Sequence, residues 1–285
     1  MKKIISLLLI VLVTISLIGC TSINEVDEDK VKDVSDKITE VIIDSMGKEK
    51  AERQESHTIN AENLNTLNIK SSVGDINIKT HESNDAIINL NISAHSSSKE
   101  KSKELVDDFN YSVEENFNSI DIDTTFKDKD KILEDKNVST DLIISVPVKI
   151  ENIIISLNVG DVYIKNINGK FEISNNVGEI KIENSNASYD IKTNVGEIIL
   201  SEAAAIGKSE FITNTGDIKL SFSDITNAES IKAATDVGDI DITVPDDSSY
   251  EAEINEFMEK ERTQSNKDKH TKIEIKTGVG SIDFN

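Results

Sequence analysis

The sequence predicts an all-β protein: a β-solenoid of two-strand rungs with a period of about 18–22 residues, preceded by a short N-terminal helix. Three observations carry this. One phrase recurs with small edits along most of the chain. Seven of the 12 glycines occupy the same place in that phrase. The apolar alternation changes phase at each of those glycines.

The phrase reads Φ-x-Φ-x-x-x-[VT]-G-[DE/S]-Φ-x-Φ, with Φ mostly aliphatic or aromatic. It occurs at 67–78 (LNIKSSVGDINI), 153–164 (IIISLNVGDVYI), 171–182 (FEISNNVGEIKI) and 189–200 (YDIKTNVGEIIL). It returns at 209–220 (SEFITNTGDIKL), 231–242 (IKAATDVGDIDI) and 273–284 (IEIKTGVGSIDF). Its glycines are Gly74, Gly160, Gly178, Gly196, Gly216, Gly238 and Gly280, spaced by 86, 18, 18, 20, 22 and 42 residues. In 171–182, Phe171, Ile173, Asn175 and Val177 share one strand face, whereas the next apolar residues are Ile180 and Ile182. That one-residue slip exchanges the faces of a strand unless a corner absorbs it. Glycine supplies the backbone conformation such a corner needs. Each rung is therefore two short strands meeting at Val-Gly, closed by a polar return turn. Ile180, Ile198, Ile218 and Ile240 are expected to stack as one column.

Other repeat folds fit less well. A hexapeptide helix requires a small aliphatic residue every six positions, but the series Phe171, Val177, Glu183, Tyr189, Val195 breaks once per turn. The GGxGxD phrase of calcium-binding repeats is missing. A sandwich would not need such regular phrasing.

Two insertions interrupt the array, at 79–152 and 246–272. The first predicts strands at 86–94, 117–126 and 141–148 and a short helix near 99–109. The second holds a strand-like YEAEI and a charged, flexible-looking EKERTQSNKDKHTK. Both are expected to cap the stack, because a bare end rung invites edge-to-edge association.

The N-terminus sets the expected address. Lys2 and Lys3 precede an apolar run from Ile4 to Ile18, which is short for a membrane span. Leu17-Ile18-Gly19-Cys20 resembles the lipobox of bacterial lipoproteins. The resemblance implies cleavage after residue 19 and lipidation of Cys20, the only cysteine in the chain. The expected organisation is a signal peptide at 1–19, a lipidated tether and amphipathic helix at 20–56, and the β-domain at 57–285. The helix is read from Val31, Val34, Ile38, Val41 and Ile42, with Gly47 as its C-cap and a charged connector to about Ser56. The expected location is the extracytoplasmic face of the cell membrane, held by the lipid on Cys20.

The formal charge is −22, and becomes −24 without Met1–Gly19, which carries two lysines and no acids. The only arginines are Arg53 and Arg262. A nucleic-acid partner would need a basic stripe that the sequence lacks. No disulfide can form within the chain. His57, His81, His95 and His270 are scattered, without metal-ligand or Cys–His spacing. Serines lack a GxSxG setting. No catalytic residue, metal or cofactor is expected. Acids do recur after the glycines, as Asp161, Glu179, Glu197, Asp217 and Asp239. Stacked at one strand spacing they would repel by about 0.9 kcal/mol per pair in water. Backbone N–H donors, with lysines such as Lys181 and Lys219, are expected to offset this.

The ordered stretch SVPVKIENIIISLNVGDVYIKNINGKFEISNNVGEIKI, together with the repeated VGD/VGE phrases, resembles the bacterial DUF4097 family over about residues 57–285. The resemblance implies an envelope β-solenoid of adhesin type with no catalytic residues to carry over. Its implied role is a non-enzymatic, membrane-anchored scaffold or binding module. The expected partners are the membrane, through Cys20, and an envelope protein, glycan or cationic ligand. The alternative role is an envelope-stress component that senses cationic peptides or modulates a membrane partner.

Overall fold

The computed structural model describes residues 49–126, 137–256, 262–266 and 270–285. The lipobox, Cys20 and the amphipathic segment 29–46 lie outside the described residues.

Each repeat folds as two short arms. Four complete rungs follow one another: β2 (Thr66–Val73) with β3 (Ile76–His81), β8 (Asn152–Val159) with β9 (Val162–Lys165), β10 (Gly169–Val177) with β11 (Ile180–Glu183), and β12 (Asn186–Val195) leading into β13 (Ile198–Thr215). β13 and β14 (Ile218–Val237) are long because each runs from the second arm of one rung into the first arm of the next. β15 (Ile240–Thr243), β18 (Thr271–Val279) and β19 (Ile282–Phe284) finish the array. Rungs pair in parallel and in register. Ile76, Val162, Ile180, Ile198, Ile218, Ile240 and Ile282 form one continuous column, all buried. A fully buried isoleucine contributes about 1.5–3 kcal/mol by leaving water. On the first arm Phe171 meets Tyr189 edge-on at 5.6 Å, and Tyr189 meets Phe211 at 5.5 Å.

The 86-residue gap in sequence is a single step in space, since β2 pairs with β8 and β3 with β9. The excursion between them builds the next rung outward, from β6 (Ser119–Thr124) against β2 and β7 (Val138–Pro147) against β3. β4 (Asp85–Ser96) and β5 (Ser112–Asn116) then close this end with antiparallel pairing. The helix α1 (Lys99–Asp108) buries Ser102, Leu105 and Val106, and is N-capped by Ser98.

Two expectations are corrected at the edges. The segment before Ser56, read as a charged connector, is a strand: β1 (Glu49–Asn60) pairs antiparallel with all of β4. Its alternation of charges and small polar residues was masked by the absence of an apolar face, because β1 is an edge strand half open to water. Part of the charged stretch read as flexible is also ordered. β17 (Arg262–Asn266) pairs antiparallel with β16 (Tyr250–Asn255), which itself lies parallel to β18.

A third correction concerns the corner. Val177 does not share the interior with Phe171, Ile173 and Asn175; it is 38% exposed. The chain turns outward one residue earlier than the apolar pattern implies. The interior set passes from Asn175 to Ile180, with 176–179 on or near the surface.

Candidate binding surface

The corner is built by carbonyl crowding. The seven repeat glycines have φ between 130° and 151°. At Gly196 a Cβ would lie 2.0 Å from the carbonyl oxygen of Gly178, the equivalent residue one rung back. The same relation links Gly160 to Gly74, Gly178 to Gly160, Gly216 to Gly196, Gly238 to Gly216 and Gly280 to Gly238. The glycine carbonyl must then find a partner inside. At four corners the residue three places before the next glycine supplies it: Asn175 Nδ2 donates to Gly160 O at 2.9 Å, and the hydroxyls of Thr213, Thr235 and Thr277 donate to Gly196, Gly216 and Gly238 at 3.1, 3.1 and 2.9 Å. These buried polar side chains serve the backbone.

Three columns stand outside the corner. Asparagines form a ladder, with Asn176 donating to Asn158 at 2.6 Å, Asn194 to Asn176 at 2.5 Å and Asn214 to Asn194 at 3.2 Å. Beside them run the valines that precede the glycines. Val159, Val177, Val237 and Val279 are all exposed. Next come the acids, and the column extends past Asp161 through Asp75, which follows Gly74 in the first copy of the phrase, to Asp141, which lies outside the phrase. Each aspartate accepts the backbone N–H of the following rung: Asp75 Oδ1 from Asp161 at 2.9 Å, Asp161 from Glu179 at 2.8 Å, Asp217 from Asp239 at 2.9 Å, and Asp239 from Ser281 at 2.7 Å. Glu197 turns instead to Lys219, at 2.5 Å.

The outer face of the second arm carries a denser cluster. Glu183 accepts from the Tyr163 hydroxyl at 2.5 Å and from Lys165 Nζ at 3.1 Å, and pairs with Lys181 Nζ at 2.8 Å. The bonds from Lys181, Tyr163 and Lys165 hold its carboxyl down to about 2. Glu183 did not stand out in the sequence, since nothing in the repeat marks it. Lys181 lies two residues before it on the same strand, but Lys165 and Tyr163, 18 and 20 residues earlier, reach it only because the rungs stack.

The four histidines sit in separate settings. His57 Nε2 meets the Tyr111 hydroxyl at 3.0 Å, His81 Nε2 meets Asp85 O at 2.6 Å, the His95 N–H donates to Asn137 O, and the His270 N–H donates to Ser249 Oγ. Among the described residues, no three His, Cys, Asp or Glu side chains are grouped to hold a metal ion. At the β16 end, a concavity of about 630 Å³ is lined by hydroxyls and by Asp224, Asp247 and His270. The Asp224 carboxylate there accepts the Thr226 N–H at 2.7 Å.

A family model described as Toastrack DUF4097 matches residues 48–284. The chain belongs to the DUF4097 family. The DUF4097 match begins one residue before β1, so the edge strand lies within it. Solved structures similar to the DUF4097 chain include a "putative cell adhesion protein" from Clostridium sporogenes ATCC 15579, with 16% identity and a TM-score of 0.36. That match covers 82% of this chain and 99% of the other. A "putative adhesin" from Bacteroides fragilis NCTC 9343 has 16% identity and a TM-score of 0.37, covering 82% and 97%. One from Parabacteroides merdae ATCC 43184 has 11% identity and a TM-score of 0.37, covering 82% and 96%. No curated protein matches the chain.

Proposed function

We propose that the chain is a non-enzymatic cell-surface lipoprotein. Cys20 anchors it in the cell membrane, and its solenoid acts as a scaffold or adhesion-type binding module on the extracytoplasmic face. The observation that carries this reading is the repetition of outward-facing side chains. Equivalent asparagines, valines and acids recur on successive rungs, which gives an extended, regular surface of the kind solenoids use to hold partners. The buried side chains of Asn175, Thr213, Thr235 and Thr277 at the corner donate to backbone carbonyls, as structural parts rather than reagents. The anchor rests on the lipobox at Leu17–Cys20. Multiple acyl chains on one cysteine would hold the module stably. Replacing Cys20→Ala should leave an unprocessed precursor that takes up no radiolabelled palmitate; normal labelling of the variant would end the lipoprotein reading.

A second reading is favoured by one feature, the exposed valines running beside a column of acids. That pairing suits an amphipathic cationic peptide, and would make the chain an envelope-stress component. A two-component system or stress operon beside the gene would weigh toward it.

A further inference from the structure

Near the β7 side of the second arm, two surface columns run side by side. One passes in register through Ile143, Asn77, Tyr163 and Lys181; the other passes through Ser145, Lys79, Lys165 and Glu183. Asn77 is shorter than its neighbours on either side. Ile143, 53% exposed, and the half-buried Tyr163 therefore stand as the walls of a groove of about 380 Å³, which Lys79 and Lys165 border.

The charges in this groove are arranged unusually for a chain of formal charge −22. Lys165 and Lys181 are both answered by Glu183, which also takes the Tyr163 hydroxyl. Glu183 already serves Lys165 and Lys181, and it stands two strands away from Lys79, with Lys165 between them. Lys79 lies directly opposite Lys165 on the adjacent parallel strand, about 4.8 Å away in backbone terms. Like charges so placed repel. The neighbour of Lys79 on the other side is Ser145, a hydroxyl and not an acid. An anion seated over Lys79 and Ser145 relieves that repulsion.

We infer that this groove binds an anionic saccharide, a sugar ring bearing a carboxylate. The inference deepens the binding-module reading and rests on it. Tyr163 offers an aromatic wall, held in place by its bond to Glu183 and by Lys181, whose Nζ lies 5.8 Å from the ring centroid. Ile143 offers an aliphatic wall opposite. The C–H faces of a pyranose pack against both, and the Asn77 amide supplies a donor and an acceptor for its hydroxyls. Lys79 then receives the carboxylate, with the Ser145 hydroxyl as a second donor. A few polar groups in a mostly apolar groove are enough to orient such a ligand.

The test is calorimetric titration of the full chain in detergent micelles with tetragalacturonate. Maltotetraose serves as the neutral control and a short polyglutamate as the sugar-free anion. Tetragalacturonate is expected to bind, more weakly as sodium chloride rises, and neither control is expected to match it. Lys79→Ala and Tyr163→Ala should each weaken binding about tenfold. Tyr163→Phe, which keeps the ring but loses the bond that orients it, should weaken binding less than Tyr163→Ala does. Lys79 makes no ion pair among the described residues, so its replacement is not expected to disturb folding. No heat with tetragalacturonate, or binding indifferent to Lys79→Ala, overturns the inference. So does equal binding of maltotetraose, or polyglutamate binding that ignores Tyr163→Ala. If the groove fails while cells displaying the anchored protein still adhere to glycan-coated surfaces, the binding-module reading stands without it. If adhesion is absent as well, both readings fall.

Discussion

At Gly196 two separate penalties meet. Its φ of 149° lies where side-chain-bearing residues rarely go, and a Cβ would sit 2.0 Å from the Gly178 carbonyl oxygen, an atom fixed by the ladder. Gly207 isolates the first penalty, since its φ is 62° but nothing lies within 4 Å of the site. Gly207→Ala should therefore cost about 1–2 kcal/mol, the ordinary penalty of a left-handed residue. Gly196→Ala should cost more, about 3 kcal/mol or above, because backbone must move as well. Urea denaturation of the two variants checks the order, and equal losses would mean that the carbonyl gives way. The place of the corner was legible in the sequence, because the phase of the apolar residues breaks there. The reason for glycine was only half legible. Phase says that the chain turns; that the preceding rung's carbonyl occupies the space of a Cβ is a fact of stacking. The outward turn of Val177 was hidden for a related reason. Periodicity treats an apolar residue as interior, and here Asn175 takes the interior place because a glycine carbonyl needs its amide.

Between neighbouring strands, the polar surface is a set of pairings that exist only when rungs are in register. Glu183 joins β11 to β9 through Tyr163 and Lys165. Its ordinary value of 4.5 falls to about 2 in the folded chain, so the folded state holds this proton less tightly than the unfolded state. The stability it contributes is complete above about pH 4.5 and is lost as the pH falls toward 2. Glu183→Gln should lower the melting temperature at pH 7, and the gap to the native chain should close over that acid window. Thermal melts followed by circular dichroism between pH 7 and pH 2 test this; a gap constant with pH would assign the effect to packing. The two arms of each rung could be read from the repeat, and so could β4, β6, β7 and β16 in the insertions, whereas the return turns expected between arms at 201–208 and 221–230 are strand within β13 and β14. β1, β5 and β17 could not. Edge strands do not bury a face, and so leave no alternation of apolar and polar residues to find.

For the whole molecule, the governing question is how a chain of formal charge −22 keeps a row of acids at one strand spacing. The aspartates of the column each use one carboxylate oxygen on the next rung's backbone N–H, and Glu197 is paired with Lys219. One free oxygen per rung is too few for a calcium cage, which takes six to eight ligands. Calcium should therefore raise the melting temperature slightly, and sodium chloride at equal ionic strength should do the same by screening. Differential scanning calorimetry decides it: a large rise specific to calcium would make the column a metal site.

The glycine column has a bearing on how such a gene changes over generations. From Gly160 to Gly238, each corner is completed by the glycine carbonyl of the rung behind it and completes the rung ahead in the same way. Loss of 18 codons, such as those for residues 176–193, would join Asn175 to Asn194, and the new junction would carry the same contacts as the old. The product would be shorter by one strand spacing, about 4.8 Å. Loss of 17 or 19 codons would set an interior residue against water along the whole downstream arm. Length should therefore change in whole rungs, so that unequal crossing-over between repeats would be a tolerated event that lengthens or shortens the reach of whatever the surface displays.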